Sequence, residues 1–406
     1  MKEKNTENND LMEKIVSLCK RRGFIFQGSE IYGGLAGTYD WGHFGVALKN
    51  NIKQNWWKKF VDGRRDMYGI DASILMNGKV WEVSGHVAGF SDPLENGKQF
   101  NVMFKTQVGA GEEATTSYLR PETAQGMFVN FKNTVDAFHP KLPFGMAQIG
   151  KAFRNEIAPR DFIFRQREFE QMEIEYFTRE SDWEKYFEYW KGEMLDWMEE
   201  VGIDMAKVHE LEVPKEDRAH YSSRTIDFEF DYPFGKKELF GLAYRTDFDL
   251  KNHKLEYVDE EEGEKMVPHV IEPTFGVDRA ILATILSAYS EDEKDGEARA
   301  YLKFKPNIAP VICAISPLLK NKPELVEYAN TKVYAPLKAE FGRVIFDDNG
   351  NIGKRYRRQD EIGTPFCIVI DFDTLSDDTV TVRNRDTGEQ ERVKVAELIK
   401  FIKNKI

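Results

Sequence analysis

The sequence predicts an α+β protein, with an antiparallel sheet flanked by helices and a smaller α/β domain at the carboxyl end. Alternating apolar and polar residues in TIDFEFDY (225–232) and HVIEPTF (269–275) are typical of antiparallel strands. Two other segments repeat their apolar residues at helical spacing. After residue 304 short strands and helices alternate, which indicates a separate α/β unit. We therefore expect two domains, residues 1–304 and 305–406.

The first helical segment, VALKNNIKQNWWKKF, places its apolar side chains on one face. These are Leu48, Ile52, Trp56 and Phe60. The second segment begins at SDWE, where Ser181 and Glu184 have the spacing of a capping box. Its expected buried stripe consists of Trp183, Phe187, Trp190, Met194, Trp197 and Val201. At this spacing we expect the tryptophans to pack in the core.

The carboxyl-terminal part carries short apolar stretches separated by helical segments. Strands are predicted for APVICAI (309–315), RVIF (343–346) and FCIVIDF (366–372). Helices are predicted for PELVEYANTKVYAPLKAEF (323–341) and for a basic segment before the last of these strands. This order is the reason for expecting an α/β domain here.

The composition is that of an ordinary globular protein, with 41% hydrophobic and 31% charged residues. No run approaches the ~18 apolar residues of a membrane span, and the polar start MKEKNTENND carries no secretory signal. Cys19, Cys313 and Cys367 are far apart, which excludes a Cys-rich zinc site and fits the cytoplasm. The net charge of −12 argues against DNA or a membrane as a partner, but allows an RNA partner where basic residues cluster.

The stretch FRNEIAPRDFIFRQREFEQMEIEYF (153–177) mixes arginines, acids and aromatics, and is predicted to form a hairpin. Its strands would run over 146–156 and 162–177, with IAPRD as the turn. Because side chains alternate along a strand, one face would carry Arg165, Phe169, Gln171 and Glu173. The opposite face would carry Met172, Ile174 and Tyr176. Arg154 and Glu156 would share a face on the first strand.

Two interpretations of this hairpin remain open on pattern alone. An arginine fork can bind phosphate, a phenyl ring can stack on a base, and a carboxylate can accept hydrogen bonds from an ammonium group. Alternatively, the segment is a surface hairpin with cross-strand ion pairs, each worth at most ~1 kcal/mol.

The stretch VPHVIEPTFGVDRAILATILSAY (267–289) predicts a strand that ends at Phe275, a turn at Gly276 and an apolar helix. Asp278 and Arg279 fall in the first turn of that helix, where an arginine opposes the helix dipole. Such a position favours an anionic ligand at the helix start, where backbone amides also point. Alternatively, Arg279 pairs with Asp278 or another local acid.

Several long motifs in order carry a family resemblance. FRNE (153–156) with FRQREFEQME (164–173) resembles motif 2 of the class II aminoacyl-tRNA synthetases, and GVDR (276–279) resembles motif 3. Within that class the chain resembles the homodimeric glycyl-tRNA synthetases, in YLRPETAQGMFVNFKN, REFEQMEIEYF, YRTDFDL and IEPTFGVDR. GRVIFDDNGNIGKRYRRQDEIGTPF (342–366) resembles the anticodon-binding domain of the family.

The resemblance implies a ligase that activates glycine with ATP and Mg²⁺ to glycyl-adenylate, releases pyrophosphate and transfers glycine to the 3′ end of tRNA(Gly). It implies a cytoplasmic homodimer. No dedicated metal motif is visible; the Mg²⁺ would arrive with ATP. Two alternatives stay open: a catalytically inactive RNA-binding relative, and a ligase that adenylates glycine for a carrier other than tRNA.

By resemblance, the residues with catalytic roles are Arg154, Glu156, Arg165 and Arg279. The residues that contact ATP would be Arg154, Asn155, Glu156, Phe164, Arg165, Gln166, Arg167, Glu168, Phe169, Glu238, Leu239, Gly276, Val277, Asp278 and Arg279. Arg154 would contact the α-phosphate and Phe169 would stack on adenine, with Glu156 near its edge. Arg165 would hold the bent triphosphate, and Arg279 would close over the nucleotide.

By the same resemblance, the residues around glycine would be Glu122, Phe169, Glu170, Gln171, Met172, Glu173, Glu272, Pro273, Thr274, Phe275 and Gly276. Glu122, Glu173 and Glu272 would surround the ammonium group. The basic run KRYRR would bind tRNA through Lys354, Arg355, Arg357 and Arg358, with Tyr356 as a stacking platform. A solvated helix face is the alternative for this run.

Three positions depart from the family pattern. His43 in DWGHFG replaces a proline of motif 1 near the expected dimer interface. Only five residues separate DPL (92–94) from FNVMFKT (100–106), where most relatives carry a long insertion. Thr274 stands where the family usually has serine, and its extra methyl group should tighten the exclusion of alanine.

Overall fold

The computed structural model describes residues 2–94, 97–259, 263–294 and 297–406. Within them the apolar side chains form a large core from Ile15 to Ala309 and a separate core from Ile312 to Ile402. A smaller cluster that contains Phe131, Phe144 and Phe177 extends the first core. The α+β fold class predicted from the sequence is confirmed.

A seven-stranded sheet forms the centre of the larger part. Its strands are β1 (Met67–Gly69), β2 (Phe144–Phe153), β3 (Glu168–Thr178), β4 (Val208–Glu212), β5 (Arg224–Tyr232), β6 (Gly235–Thr246) and β7 (His269–Gly276). Their spatial order is β4-β5-β6-β7-β3-β2-β1. All neighbours are antiparallel except β1 and β2, which pair in parallel. The expectation of an antiparallel sheet therefore holds for six of its seven strands, all except the edge strand β1.

Helices cover this sheet and the junction to the second part. The principal ones are α1 (Lys2–Arg22), α2 (His43–Trp57), α3 (Trp183–Glu200), α4 (Val277–Ala288) and α5 (Ile352–Ile362). Shorter helices are Gly78–Val83, His86–Gly89, Ala124–Val129, Phe131–Phe138, Phe248–Asn252, Pro323–Tyr328, Ala335–Phe341, Thr374–Asp377 and Leu398–Lys403. Two-stranded ribbons pair Ile25–Gln27 with Tyr39–Trp41, Ser91–Pro93 with Gln99–Asn101, Lys105–Val108 with Thr115–Tyr118, Tyr257–Val258 with Lys265–Met266, and Tyr289–Lys294 with Glu297–Leu302.

The predicted helix faces are buried. Leu48, Ile52, Trp56 and Phe60 have no exposed surface, although Phe60 lies in a π-helical turn (Lys58–Asp62) that continues α2. In α3 the stripe is equally buried except at its start. There Trp183 is partly exposed and stacks on Tyr244, with ring centroids 4.1 Å apart. The predicted capping box is wrong, because the cap residue is Asp182 and its side chain makes no cap hydrogen bond.

The predicted hairpin exists, but its turn is longer than IAPRD. Strand β2 ends at Phe153 and pairs it with Glu168, so residues 154–167 form a loop at the end of the two strands. Within this loop Asp161 and Phe162 have positive φ angles (60° and 56°) and lead into a 3₁₀ turn. These left-handed residues break the extended conformation that the alternating pattern predicted.

The carboxyl-terminal domain is built on a five-stranded sheet, as expected for an α/β unit. Its strands are β8 (Cys313–Pro317), β9 (Val344–Phe346), β10 (Phe366–Ile370), β11 (Thr379–Asn384) and β12 (Gln390–Lys394). The order is β9-β8-β10-β11-β12, and the first three strands are parallel. The predicted helix over 323–341 is present as two helices joined by a π-helical turn (Ala329–Tyr334).

Buried ion pairs join the two cores. The Asp360 carboxylate of α5 accepts hydrogen bonds from Arg299 at 3.1 Å and from Arg383 at 2.8 Å. Arg385 donates to the carbonyl of Phe304 at 2.9 Å. Helix α5 is thereby held against the end of the first domain. In the described parts of the chain, no helix is long and apolar enough to cross a membrane.

Candidate active site

A cavity of about 420 Å³ opens on one face of the central sheet, above β3, β5, β6 and β7. The loop 154–167 and the first turn of α4 form its walls. The predicted site residues that line it are Glu122, Arg154, Glu156, Phe164, Arg165, Gln166, Phe169, Gln171, Glu173, Glu238, Leu239, Glu272, Thr274, Gly276, Asp278 and Arg279. The hairpin of β2 and β3 and the turn from β7 to α4, which are far apart in the sequence, therefore meet at this cavity.

Arg154 lies between two aromatic rings at the mouth of this cavity. Its guanidinium is 5.3 Å from the ring centre of Phe169 and 5.2 Å from that of Phe90. Its Nε donates to the carbonyl of Pro121 at 3.1 Å. Because these contacts fix the side chain without a carboxylate partner, its charge stays available to an anion.

Arg165 and Arg279 face the same space with acidic partners. Arg165 lies 3.7 Å from the Glu156 carboxylate. Arg279 lies 3.2 Å from the Glu238 carboxylate and packs over the ring of Phe164 at 4.5 Å. The positive charge of Arg279 lowers the pKa of Glu238. Of the two interpretations of Arg279, the pairing with Asp278 is not found; its partner is an acid from β6.

Asp278 instead faces the sheet. Its carboxylate accepts a hydrogen bond from the backbone N–H of Glu170 at 2.8 Å and lies 4.0 Å from the Lys49 ammonium group. The Glu170 carboxylate binds the same lysine at 2.6 Å and also pairs with Lys53. These contacts tie α2, β3 and α4 together behind the cavity.

Buried carboxylates form the floor at the other end. The Glu173 carboxylate accepts from the Thr274 hydroxyl at 3.1 Å and from the Thr123 hydroxyl. Burial and the neighbouring charge of Glu122 raise the pKa of Glu173. Glu272 accepts from Arg245 Nη1 at 2.7 Å. This end of the cavity therefore offers hydrogen-bond acceptors to a cationic group.

Glu122 is the acid of this group that stays ionised most readily. Burial alone would raise its pKa, but the His86 ring 3.2 Å away and the charges of Arg245 and Arg154 lower it to about 2. Glu122 is only 8% exposed. It therefore presents a fixed negative charge beside the floor.

Arg245, the arginine on which the floor depends, was not among the site residues predicted from the sequence. Arg245 is 1% exposed and binds Asp249 through Nε at 2.7 Å and Nη2 at 2.8 Å, in addition to Glu272. Its guanidinium lies 3.7 Å from the ring centre of Tyr221. The spacing of Arg245 and Asp249 in YRTDFDL, four residues apart in a motif already noted, is the signal that could have identified them.

Asp227 on β5 is a second missed residue. It lines the cavity on the same side as Glu238. Burial, together with the charges of Glu238 and Glu229, raises its pKa to about 7. Glu229 and Glu238 are directly opposed on β5 and β6, so three carboxylates lie along this side of the sheet.

Eight predicted site residues do not line the cavity: Asn155, Arg167, Glu168, Glu170, Met172, Pro273, Phe275 and Val277. Met172, Phe275 and Val277 are fully buried in the large core, on the face of the sheet or helix opposite to the cavity. Arg167 donates to the carbonyls of Glu156 and Ala36 and so supports the loop. Strand alternation explains the positions of the five that lie on β3 and β7, since contiguous residues of a strand cannot all face one ligand; these are Glu168, Glu170, Met172, Pro273 and Phe275.

The residues of the basic run in α5 differ in their exposure and in their contacts. Arg355 is 2% exposed, and its guanidinium donates to the carbonyls of Pro317, Asp348 and Gly350. The prediction that it contacts RNA phosphates is therefore corrected: its donors already hold the loop after β9. Arg358 binds the Asp347 carboxylate at 2.6 Å. Lys354 and Arg357 are exposed.

Comparison with known families agrees with this geometry. Residues 104–289 match the model described as "tRNA synthetase class II core domain (G, H, P, S and T)", and residues 312–405 match the "Anticodon binding domain" model. Glycine–tRNA ligase of Thermus thermophilus is 44% identical, over 97% of this chain and 99% of its own length. The chain belongs to the glycine–tRNA ligase family. The glycine–tRNA ligases of Lachnospira eligens (46%) and Bacillus cereus (44%) align over 97% of this chain and at least 98% of their own lengths.

The alignments to these glycine–tRNA ligases are longer than the chain itself. They span 499, 460 and 458 positions, against the 406 residues of this chain. The relatives therefore carry residues that this member of the family lacks, in agreement with the expected missing insertion. In the short connection between DPL and FNVMFKT, residues 95 and 96 lie outside the described residues.

Proposed function

We propose that this chain is a glycine–tRNA ligase that converts glycine and ATP to glycyl-adenylate and pyrophosphate, and then transfers glycine to the 3′ end of tRNA(Gly). One observation carries the proposal: the cavity has arginines at its mouth and buried carboxylates at its floor. Glycine is a zwitterion, so its ammonium group suits the floor. Its carboxylate then points toward the arginines, where the phosphates of ATP would lie.

In the first step a glycine carboxylate oxygen attacks the α-phosphorus, and the bond from that phosphorus to the pyrophosphate oxygen breaks. Two anions approach each other, so developing negative charge must be neutralised. Arg154 would contact the α-phosphate, because its guanidinium has no carboxylate partner among the described residues. Arg165 and Arg279 would exchange their acids for the outer phosphates. Phe169 would stack on adenine, with Glu156 at its edge.

In the second step a ribose hydroxyl at the 3′ end of tRNA attacks the carbonyl carbon of the adenylate, and AMP leaves. The described cavity lining offers positioning and charge stabilisation rather than a Ser/His/Asp arrangement for a covalent intermediate. The rate enhancement would then come from holding glycine and the nucleotide in line. That role fits side chains fixed by packing and hydrogen bonds before the substrates bind.

The ammonium group of glycine would bind Glu122, Glu173 and Glu272. Thr274, which donates to Glu173 at 3.1 Å, would place its methyl group beside the substrate α-carbon. A filled pocket excludes larger amino acids by overlap, which makes glycine the substrate that needs no editing domain.

Mg²⁺ would enter with ATP as part of the nucleotide substrate. Asp227 and Glu238 line the cavity near Arg279, and carboxylate oxygens are the ligands that Mg²⁺ accepts in proteins. The ion would neutralise the phosphates when bound. A local positive charge would also favour the ionised form of Asp227.

We propose a cytoplasmic homodimer in which the ribbon after α1 contributes to the interface. Ile31 and Tyr32 are 87% and 86% exposed, and Leu35 is 55% exposed. An apolar patch of this kind is typical of a surface that another chain covers. His43 follows this ribbon at the start of α2.

We also propose the domain division 1–304 and 305–406, with Lys354 and Arg357 of the second domain facing the RNA backbone. Ile308 and Ala309 pack in the large core, so the connection itself is anchored to the first domain.

The test is glycine-dependent exchange of labelled pyrophosphate into ATP, without tRNA, compared with alanine and serine. We expect exchange with glycine alone, and its loss in Arg154→Ala. Folded protein that gives no exchange with any amino acid would support the inactive RNA-binding alternative. Exchange without subsequent charging of tRNA would instead support a different carrier.

A further inference from the structure

Glu175 lies under the floor of the cavity, two residues after Glu173 on β3. It is fully buried, and among the described residues neither of its carboxylate oxygens has a hydrogen-bond partner. Glu175 has no part in the roles proposed for the residues of the cavity. A buried polar group without a partner is destabilising even when neutral, so this side chain calls for a physical explanation.

Two further acids surround Glu175. Carboxylate oxygens of Glu173, Glu175 and Glu272 lie within 4.8 Å of one another, and all three side chains are buried. Among the described residues, Arg245 is the cation hydrogen-bonded to this cluster, and Asp249 holds the same guanidinium. The buried guanidinium of Arg120 adds a second positive charge that acts on Glu173. Acids therefore outnumber cations around Glu175 before any substrate binds.

Gln148 faces the cluster from β2. It is opposite Glu173 in the strand register, and an antiparallel pair of this kind points to the same face of the sheet. It is also fully buried, and its amide makes no hydrogen bond in the described structure. Strand β2 thus contributes no charge that could balance Glu175.

A carboxylate in such surroundings is strongly destabilised in its ionised form. Without a hydrogen bond or a cation of its own, a buried carboxyl group takes up a proton instead of staying charged. Burial, with the charge of Glu272 next, raises the pKa of Glu175 well above its ordinary value. As a neutral acid it carries one O–H donor.

Burial also raises the pKa of Glu272 well above its ordinary value, but Glu272 is the acid that accepts a hydrogen bond from the Arg245 guanidinium, so it is the better acceptor for that donor. Glu173 already accepts through both oxygens, from Thr274 and Gln171 on one and from Thr123 on the other. Glu272 accepts through Oε1 from Arg245. Its second oxygen remains for Glu175.

We propose that Glu175 is a neutral carboxylic acid in the working enzyme and donates a hydrogen bond to Glu272, which orients that carboxylate for the ammonium group of glycine. Glu175 is then a positioning residue that does not touch the substrate. It also limits the negative charge of the floor, since a third carboxylate would repel the other two. The role in glycine binding rests on the proposed function.

The first test compares glycine KM in pyrophosphate exchange. Glu175→Leu removes the donor, and we expect a glycine KM about tenfold higher with an unchanged ATP KM, the size of effect for one lost buried hydrogen bond. Glu175→Gln is uncharged but keeps an N–H donor, and we expect it to recover the KM to within about threefold.

The control is Thr178→Val on the same strand. Thr178 is also fully buried and its hydroxyl makes no hydrogen bond in the described structure, but it lies on the opposite face. We expect its glycine KM to match that of the unaltered enzyme. A purely structural effect of altering β3 would move all three variants and both substrates alike.

The second test needs no activity. The infrared spectrum of the ligand-free protein at pH 8 should contain the band of a protonated buried carboxyl group, and this band should be weaker in Glu175→Gln. An equally strong band in the variant, or a large loss of glycine affinity in Glu175→Gln, would overturn the proposal. If the unaltered protein shows the band but no glycine-dependent exchange, the proposed function fails while the neutral acid stands.

Discussion

At the scale of single residues, Thr274 of β7 contributes to the proposed glycine subsite in two ways. Its hydroxyl donates to Glu173 at 3.1 Å. In the proposed subsite its methyl group would occupy space that a serine would leave empty. One position thus combines a polar contact that orients an acid with an apolar group that limits substrate size.

These two contributions of Thr274 can be separated. Thr274→Ser keeps the donor and removes the methyl group, so we expect the ratio of alanine to glycine exchange to rise about tenfold, the effect of one methyl group in a pocket. Thr274→Val keeps the volume and loses the donor, so glycine exchange should fall while alanine stays excluded. An unchanged ratio in the serine variant would show that the methyl group does not set specificity.

The raised pKa of Asp227 predicts that the stability of the ligand-free protein depends on pH. Its pKa of about 7 lies above the ordinary 3.8, so the folded protein binds this proton more tightly than the unfolded chain. The stabilising contribution is complete below about pH 3.8 and is lost as pH rises through 7. Asp227→Asn cannot ionise, so its Tm advantage over the unaltered, ligand-free protein should grow from pH 5 to pH 8. A constant difference in calorimetry would contradict this.

At the scale of elements, the charges around Lys49 decide how α2, β3 and α4 pack. Lys49 is 7% exposed and binds Glu170 at 2.6 Å, with Asp278 at 4.0 Å. Glu170 was predicted to contact glycine, but it lies behind the cavity and serves this junction. Its neighbours Phe169 and Gln171 face the ligand side instead, as strand alternation requires.

Removing Lys49 leaves buried acids without their main cation. We expect Lys49→Met to lower the free energy of unfolding by about 3 kcal/mol. All seven tryptophans lie between Trp41 and Trp197, so their fluorescence in urea reports on the first domain. The control is Lys132→Met, which removes a solvent-exposed helical pair with Asp136 and should cost no more than about 0.5 kcal/mol. Equal effects of the two variants would refute the assignment.

At the scale of the whole molecule, the two cores are joined by a few buried charges rather than by a continuous apolar interface. Asp360 is 1% exposed and lies between Arg299 of the first domain and Arg383 of the second. The proposed active site lies entirely in the first domain, whereas residues 312–405 match an anticodon-binding domain, so we expect tRNA to contact both.

This arrangement predicts that one substitution can separate the two half-reactions. Asp360→Asn leaves the buried Arg383 without its carboxylate and Arg299 with Asp292 alone, which should loosen the seating of the second domain. We expect tRNA charging to fall at least about tenfold while glycine-dependent exchange stays within about twofold, since the cavity is untouched. The exposed Glu391→Gln in the same domain serves as control. A parallel loss of both activities would indicate general unfolding instead.

Periodic features of the fold could be predicted from the sequence because periodicity follows from backbone geometry. The buried faces of α2 and α3 and the two faces of β3 are examples. The turn of the 144–178 hairpin could not be predicted from the sequence. It depends on left-handed backbone conformations at Asp161 and Phe162, which are neither glycine nor asparagine. The burial of Arg355 was also missed, since a basic run has the same sequence whether it is solvated or internal.

The sequence by itself determined the family and the set of motifs that meet at the cavity, because those motifs are contiguous and the alternation of side chains assigns each residue to a face. Only the tertiary structure decided which charged side chains pair with each other. The order of strands in the sheet decides that Arg245 meets Glu272 and that Arg279 meets Glu238. It also decides that Glu175 has no hydrogen-bond partner among the described residues. Charge pairing and desolvation depend on distance in space, which separation along the chain does not encode.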